Sequence, residues 1–283
     1  MTTRTGAATK TDRGYGALGG YIVLVLVLLV VSLPFLWTLL SSFKVTSEII
    51  SATPTLLPQE ATLDHYRRLF SAASYGTYLR NSLLVALGSM AINVVLTVLA
   101  GYSIYRCRYP GRAFLSRAII LVYVFPVVIL MIPIYKTMAR LGLVDSVLSL
   151  IIINVTFAAP FSVWLIGPFF ESIPRQVEEA AEIDGAGRLT TLRRVVLPLI
   201  RPGVATVAIF SFISSWTEYT FANILIFNEG SKTLPVGLSR LVTQYQVDWG
   251  LVTAGAVMTS LPVLVLFAFV GRYFVDSITG SIK

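Results

Sequence analysis

Cysteine and histidine are all but missing from this chain. With Cys107 its sole cysteine and His65 its sole histidine, no disulfide can close within it and no Cys/His cluster can hold a metal ion. Charge is scarce too: Asp, Glu, Lys and Arg make up 13% of the 283 residues, against roughly a quarter in soluble domains. A phosphate-cradling G-x4-G-K-[ST] loop is lacking. The nearest string, Gly230-Ser231-Lys232-Thr233, has Leu225 where the first glycine should stand. No His, Asp or Cys constellation offers nucleophilic or acid–base chemistry. The chain is therefore expected to be non-catalytic, with no catalytic residue, metal or cofactor of its own.

Apolar surface is what the chain has in excess. Hydrophobic residues make up 55% of it, more than a water-soluble fold of this length could hide. A bilayer accommodates such surface, and about 20 apolar residues cross its hydrocarbon core. Six windows with little or no charge fit that length. Tyr21–Leu40 is the first, and the stretch between Arg80 and Arg106 the second; the third runs from about Ala113 to Tyr135. Asp145 and Glu171 bracket the fourth, Pro202–Phe227 is the fifth with Glu218 inside it, and Asp248 and Arg272 bracket the sixth. The expected fold is all-α and polytopic. Arg4, Lys10 and Arg13 precede the first span, but its apolar stretch is too long for a signal peptide and no small-residue cleavage site follows. It reads as a retained helix, with residues 1–17 a loose tail.

An even number of spans puts both termini on one side. Placing them in the cytoplasm leaves 14 basic residues inside and 8 outside, as the positive-inside rule favours. The net charge of +8 is scattered between apolar spans, so it reads as membrane topology and not as a nucleic-acid surface. Pro34, Pro126, Pro133, Pro160 and Pro262 fall within spans and predict kinks.

One connection differs from the others. Residues 171–201 are polar and lie between the fourth and fifth spans, on the inner side in this orientation. Pro174 is placed for a helix start, and Glu178, Glu179 and Glu182 follow in the early turns, where negative charge suits the helix dipole. Gly185 and Gly187 predict a break. Leu189, Leu192, Val195 and Val196 then recur at helical spacing before Pro198. Two short helices meeting at a turn are expected, with acidic and small residues on the first.

Glu179-Ala180-Ala181, three residues, Gly185, nine residues, Val195, one residue and Leu197-Pro198 resembles the EAA motif of ABC-importer permeases at every position. Ser41-Ser42-Phe43-Lys44, Pro54–Pro58, Asn81-Ser82, Tyr105–Arg112, Trp216-Thr217-Glu218, Leu251–Pro262 and Thr279–Lys283 are similar to the MalG-like carbohydrate subgroup. The resemblance covers nearly the whole chain after residue 20. It implies a type I importer (MetI-like) fold in a prokaryotic cell membrane. It also implies as partners a second permease subunit, two ATPase subunits that bind ATP and Mg, and an extracytoplasmic sugar-binding protein. The 171–201 loop would dock in an ATPase cleft. Glu179 would make a charge contact, Ala180 and Ala181 would pack closely, Gly185 would turn the chain, and Asp184, Leu197 and Pro198 would complete the element. Alternating access would follow from its movement.

Within the membrane Glu218 stands out, since a charge at mid-bilayer costs on the order of 3 kcal/mol. Two readings are open: a pathway residue, with Trp216 and Tyr219 offering rings to a sugar, or a structural hydrogen bond. Asn154 in the fourth span is a further pathway candidate. A secondary transporter is the rival class; it would need more intramembrane ionisable groups and an internal repeat.

Overall fold

The structure is a computed structural model that describes residues 12–72, 74–123, 126–242 and 247–280. Helix is the only regular secondary structure among these residues, which otherwise form turns, irregular connections and two isolated bridges. In chain order they form α1 (Asp12–Ser41), α2 (Thr46–Ile49), α3 (Asp64–Ala72), α4 (Tyr75–Arg106), α5 (Arg112–Tyr123), α6 (Val127–Arg140) and α7 (Val147–Glu171). After these come α8 (Arg175–Ile183), α9 (Arg188–Thr191), a π-turn (Leu192–Val196), α10 (Leu197–Leu199), α11 (Arg201–Trp216) and α12 (Thr220–Leu225). A 3-10 turn (Glu229–Ser231), α13 (Leu234–Ser239) and α14 (Trp249–Gly280) complete them.

Helices α1, α4, α7 and α14 are long and apolar enough to cross a membrane, and the bent pair Arg188–Leu199 and Arg201–Trp216 makes up to five. The expected first, second, fourth and sixth spans are thus continuous helices. Residues 12–17, expected in a loose tail, belong to α1, because extending an existing helix is easier than nucleating one. Residues 1–11 and 281–283, including the end of the Thr279–Lys283 string, lie outside the described residues.

Two expected spans are not single helices. The third divides into α5 and α6, and Pro126, which has no N–H to donate, stands as the N-cap of α6. At about 1.5 Å per residue neither piece alone reaches the roughly 30 Å of a hydrocarbon core. The fifth ends as α11 at Trp216 and resumes as α12, so Glu218 lies in the break and not inside a helix.

Helices α4, α7 and α11 pack together as the centre of the bundle. Asn93 joins them, its Nδ2 donating to Ser162 Oγ at 2.8 Å and also to Ser211 Oγ. Such bonds help hold helices together in lipid, where apolar side chains gain little by leaving the lipid for one another. Glycines bring α4 and α7 close reciprocally. A Cβ at Gly101 would meet Phe170 at 2.6 Å, and one at Gly167 would meet Tyr105 at 2.4 Å. The rings of Tyr105 and Phe170 stack with centroids 6.3 Å apart.

Helix α4 also measures the bundle. Near its start the Tyr78 hydroxyl donates to Glu229 at 2.7 Å, and at its end Arg106 pairs with Glu178. Tyr78 and Arg106 are about 42 Å apart along the helix, close to the thickness of a bilayer with its headgroups. The 226–242 segment and the 171–201 segment therefore occupy opposite ends. At the Glu229 end the only histidine is structural: His65 is buried and its Nε2 lies 2.8 Å from the Lys44 carbonyl oxygen. Residues 21–31 of α1 expose their apolar side chains all round, as a helix facing lipid or another membrane chain does.

Candidate functional site

The 171–201 segment folds as an elbow of two short helices. Pro174 is the N-cap of α8, and α8 closes on a Schellman motif. Gly185 N–H donates to Glu182 O at 3.0 Å and Ala186 N–H to Ala181 O at 2.9 Å. That closure needs the left-handed backbone of Gly185, φ +82°. Gly187, expected to share the task, has φ −71° and ψ 160°, and serves as the extended N-cap of α9. The π-turn then leads into α10 with Pro198, and the chain bends by 81° into α11.

The elbow is fastened to the bundle. Ile173, Leu192, Val196 and Ile200 are buried against Val98, Ile166 and Phe170, and Leu197 and Val177 pack on the same cluster. Arg106 pairs through Nε with Glu178, while its Nη1 donates to the carbonyls of Phe170 (3.1 Å) and Ile173 (3.0 Å). Glu178 was not singled out from Glu179 and Glu182 by sequence, and its signal is the lone arginine ending the second span. Glu179, Ala180, Asp184 and Gly185 are exposed, Ala181 and Pro198 half-buried. Ile183 and Leu189 flank the turn at 86% and 72% exposure, an apolar tip on an otherwise polar elbow.

Nearer the opposite end, a cavity of about 490 Å³ opens where the fifth span is broken. Asn154 and Phe157 of α7 line it, with Ser214 of α11 and with Thr217, Glu218 and Tyr219 from the break. Asn154 Nδ2 donates to Leu150 O at 2.9 Å. Glu218 accepts two backbone N–H groups, from Phe221 at 2.6 Å and Ala222 at 3.1 Å. Three of the four pathway candidates thus meet in one cavity. Trp216 does not join them: it is 2% exposed, stacks on Phe212 and donates through Nε1 to Thr259 O at 3.2 Å. Its position ends α11, so its ring turns into the core between α11 and α14. Asp145, seen in the sequence only as a bracket, accepts from Asn228 N–H at 2.8 Å and from Phe227 N–H. Among the described residues no group of His, Cys, Asp and Glu could hold a metal ion.

An all-helical membrane permease, with a rigid elbow at one end and a broken, cavity-lined bundle toward the other, is the class these features define. Comparison with known proteins places the chain within it. The family described as binding-protein-dependent transport system inner membrane component matches residues 93–275. The inner membrane ABC transporter permease protein YcjP of Escherichia coli (strain K12) is 36% identical over 274 residues, 96% of this chain and 98% of that one. The diacetylchitobiose uptake system permease protein NgcG of Streptomyces coelicolor is 32% identical over 275 residues, 96% of this chain and 90% of that one. Among solved structures, a chain of a bacterial ABC transporter involved in import of the acidic polysaccharide alginate superposes with a TM-score of 0.80 at 25% identity, covering 95% of this chain and all of that one. The chain belongs to the binding-protein-dependent transport system inner membrane component family, and is a non-catalytic, multi-pass permease component of an ABC transporter. In such transporters ATP is bound by a partner ATPase.

Proposed function

We propose that this chain is the permease subunit of an ATP-driven importer for a carbohydrate, an oligosaccharide, disaccharide or related polyol. Relatives named for uptake of diacetylchitobiose, trehalose and maltodextrin support the substrate class. Six spans are read by counting α5–α6 and α11–α12 each as one broken crossing, with both termini in the cytoplasm. A second permease chain, two ATPase subunits and an extracytoplasmic binding protein complete the assembly. The cavity at Asn154 and Tyr219 forms part of the path, its neutral polar groups and three aromatic rings suiting an uncharged sugar face.

The observation that carries the coupling role is the elbow itself. Glu179, Ala180, Asp184, Gly185 and the apolar tip stand in solvent, while Arg106 and the buried cluster tie the base to α4 and α7. A load on the tip is thereby transmitted to α4 and α7, and the bundle rocks between inward and outward openings. Gly185→Val tests this. A Cβ at Gly185 meets no atom within 4 Å, so the substitution acts through backbone alone, and a β-branched residue resists a left-handed φ far more than Asp or Asn would. Membrane insertion should be normal and ATP-dependent uptake in proteoliposomes, measured with labelled maltotriose, trehalose and diacetylchitobiose, should be lost. A variant that transports whichever of these the wild type takes, at the wild-type rate, defeats the coupling role.

A further inference from the structure

Two carboxylates that have no ion-pair partner among the described residues bracket one short helix. Glu218 lies just before α12 and gives one oxygen to each of two of its N–H groups, Phe221 to Oε1 and Ala222 to Oε2. Asp145, at the α6–α7 connection, holds the other end: its Oδ1 accepts from Phe227 and Asn228, and its own N–H donates to Leu225 O at 2.9 Å. Asp145 does this from a left-handed backbone, φ +61°, a conformation uncommon outside glycine and worth about 1–2 kcal/mol of strain. Between the two, Phe221, Ala222 and Leu225 are buried against Leu150 and Ile153.

We infer that Glu218 and Asp145 are positioning residues, a carboxylate clamp that suspends α12 and so holds Tyr219 at the cavity. Both oxygens of Glu218 accept from backbone N–H groups, which supports the structural one of its two sequence readings while leaving it at the cavity wall. Tyr219, Asn154 and the hydroxyls beside them line the same cavity. The bearing on transport rests on the proposed path through the cavity; the clamp itself does not.

The clamp makes an asymmetric prediction. Asp145 works through one oxygen, so Asp145→Asn keeps its acceptor, and asparagine tolerates left-handed backbone. Glu218 works through two, so Glu218→Gln keeps one. Ala222→Cys, in a Cys107→Ser background and full-length chain in membranes, reports on α12, because Ala222 is fully buried. The probe is the thiol reagent methanethiosulfonate ethyltrimethylammonium. Glu218→Ala and Asp145→Ala should each raise the labelling rate at least tenfold. Glu218→Gln should fall between, and Asp145→Asn should restore the slow rate. Ala86→Cys, equally buried in a different cluster, should stay slow in every variant. Unchanged labelling in the two alanine variants overturns the clamp, and so does labelling of Ala86→Cys alongside Ala222→Cys. Uptake by Tyr219→Ala tests the path separately: normal transport there with the expected labelling pattern defeats the path and leaves the clamp standing.

Discussion

Adjacent glutamates on α8 have opposite fates. Glu178 turns inward to Arg106, whose side chain is 6% exposed, while Glu179 points to solvent. One residue is about 100° of helix, so which glutamate faces inward depends on the phase at which α8 meets α4. The sequence shows both as acidic residues early in a helix and cannot rank them. The difference is measurable. Breaking a buried pair by removing one partner costs about 3–5 kcal/mol, because the other charge is left behind without compensation. Glu178→Gln and Arg106→Ala should therefore lower the melting temperature of the detergent-purified chain, while Glu179→Lys should leave it unchanged and instead reduce co-purification of the partner ATPase. A Glu179→Lys chain that melts early but still recovers the ATPase would exchange the two roles.

At the scale of elements, charge placed the boundaries well where a charged residue ends a helix. Helix α7 runs Val147–Glu171 against the expected Asp145–Glu171, and α4 ends at Arg106 as read. Helix α4 begins earlier than Arg80 because Tyr75 and Tyr78 pack in the core and carry the helix outward. Breaks inside apolar windows were harder to see. Pro126 marked one of them. The other, at Thr217–Tyr219, has neither glycine nor proline, and its sequence sign is an acid just ahead of an apolar run, a helix-start signal. Contact between elements adds a prediction of its own. A Cβ at Gly167 would lie 2.4 Å from the Tyr105 ring, too close to accept without a shift, and overpacking costs about 1–3 kcal/mol. Gly167→Ala should destabilise the purified chain, and adding Tyr105→Leu should recover most of the loss. If Gly167→Ala melts with the wild type, α4 and α7 are not locked by this pair.

Across the whole molecule the two ends of α4 differ in chemistry. The 171–201 end is an exposed elbow on a buried base; the other end is a small charged knot that fixes the connection between α12 and α14. There Glu229 joins buried Lys232, Arg240 and the Tyr78 hydroxyl. Lys232 above all, with Tyr78 and Arg240, holds the Glu229 carboxyl down at about 2. A depressed carboxyl contributes stability that is full above its unfolded value near 4.5 and fades as pH falls towards 2. Glu229→Gln should therefore melt below the wild type at pH 6, with the gap narrowing from pH 4.5 downward. Because Glu229 is largely exposed, high salt should shrink the gap as well. A gap constant from pH 6 to pH 3 would remove Glu229 from the knot.

Composition and local pattern by themselves determined that the chain is all-helical, lives in a bilayer and carries a two-helix elbow turning at Gly185. Those properties follow from transfer free energy and backbone geometry, which act residue by residue and leave their mark in linear order. Tertiary structure alone decided which glutamate anchors the elbow, that Trp216 belongs to the core, and that Asp145 and Glu218 meet one short helix from opposite ends. These are matters of helix phase and of contacts between residues up to 83 positions apart, and such contacts exist only once α4, α7 and α11 have packed.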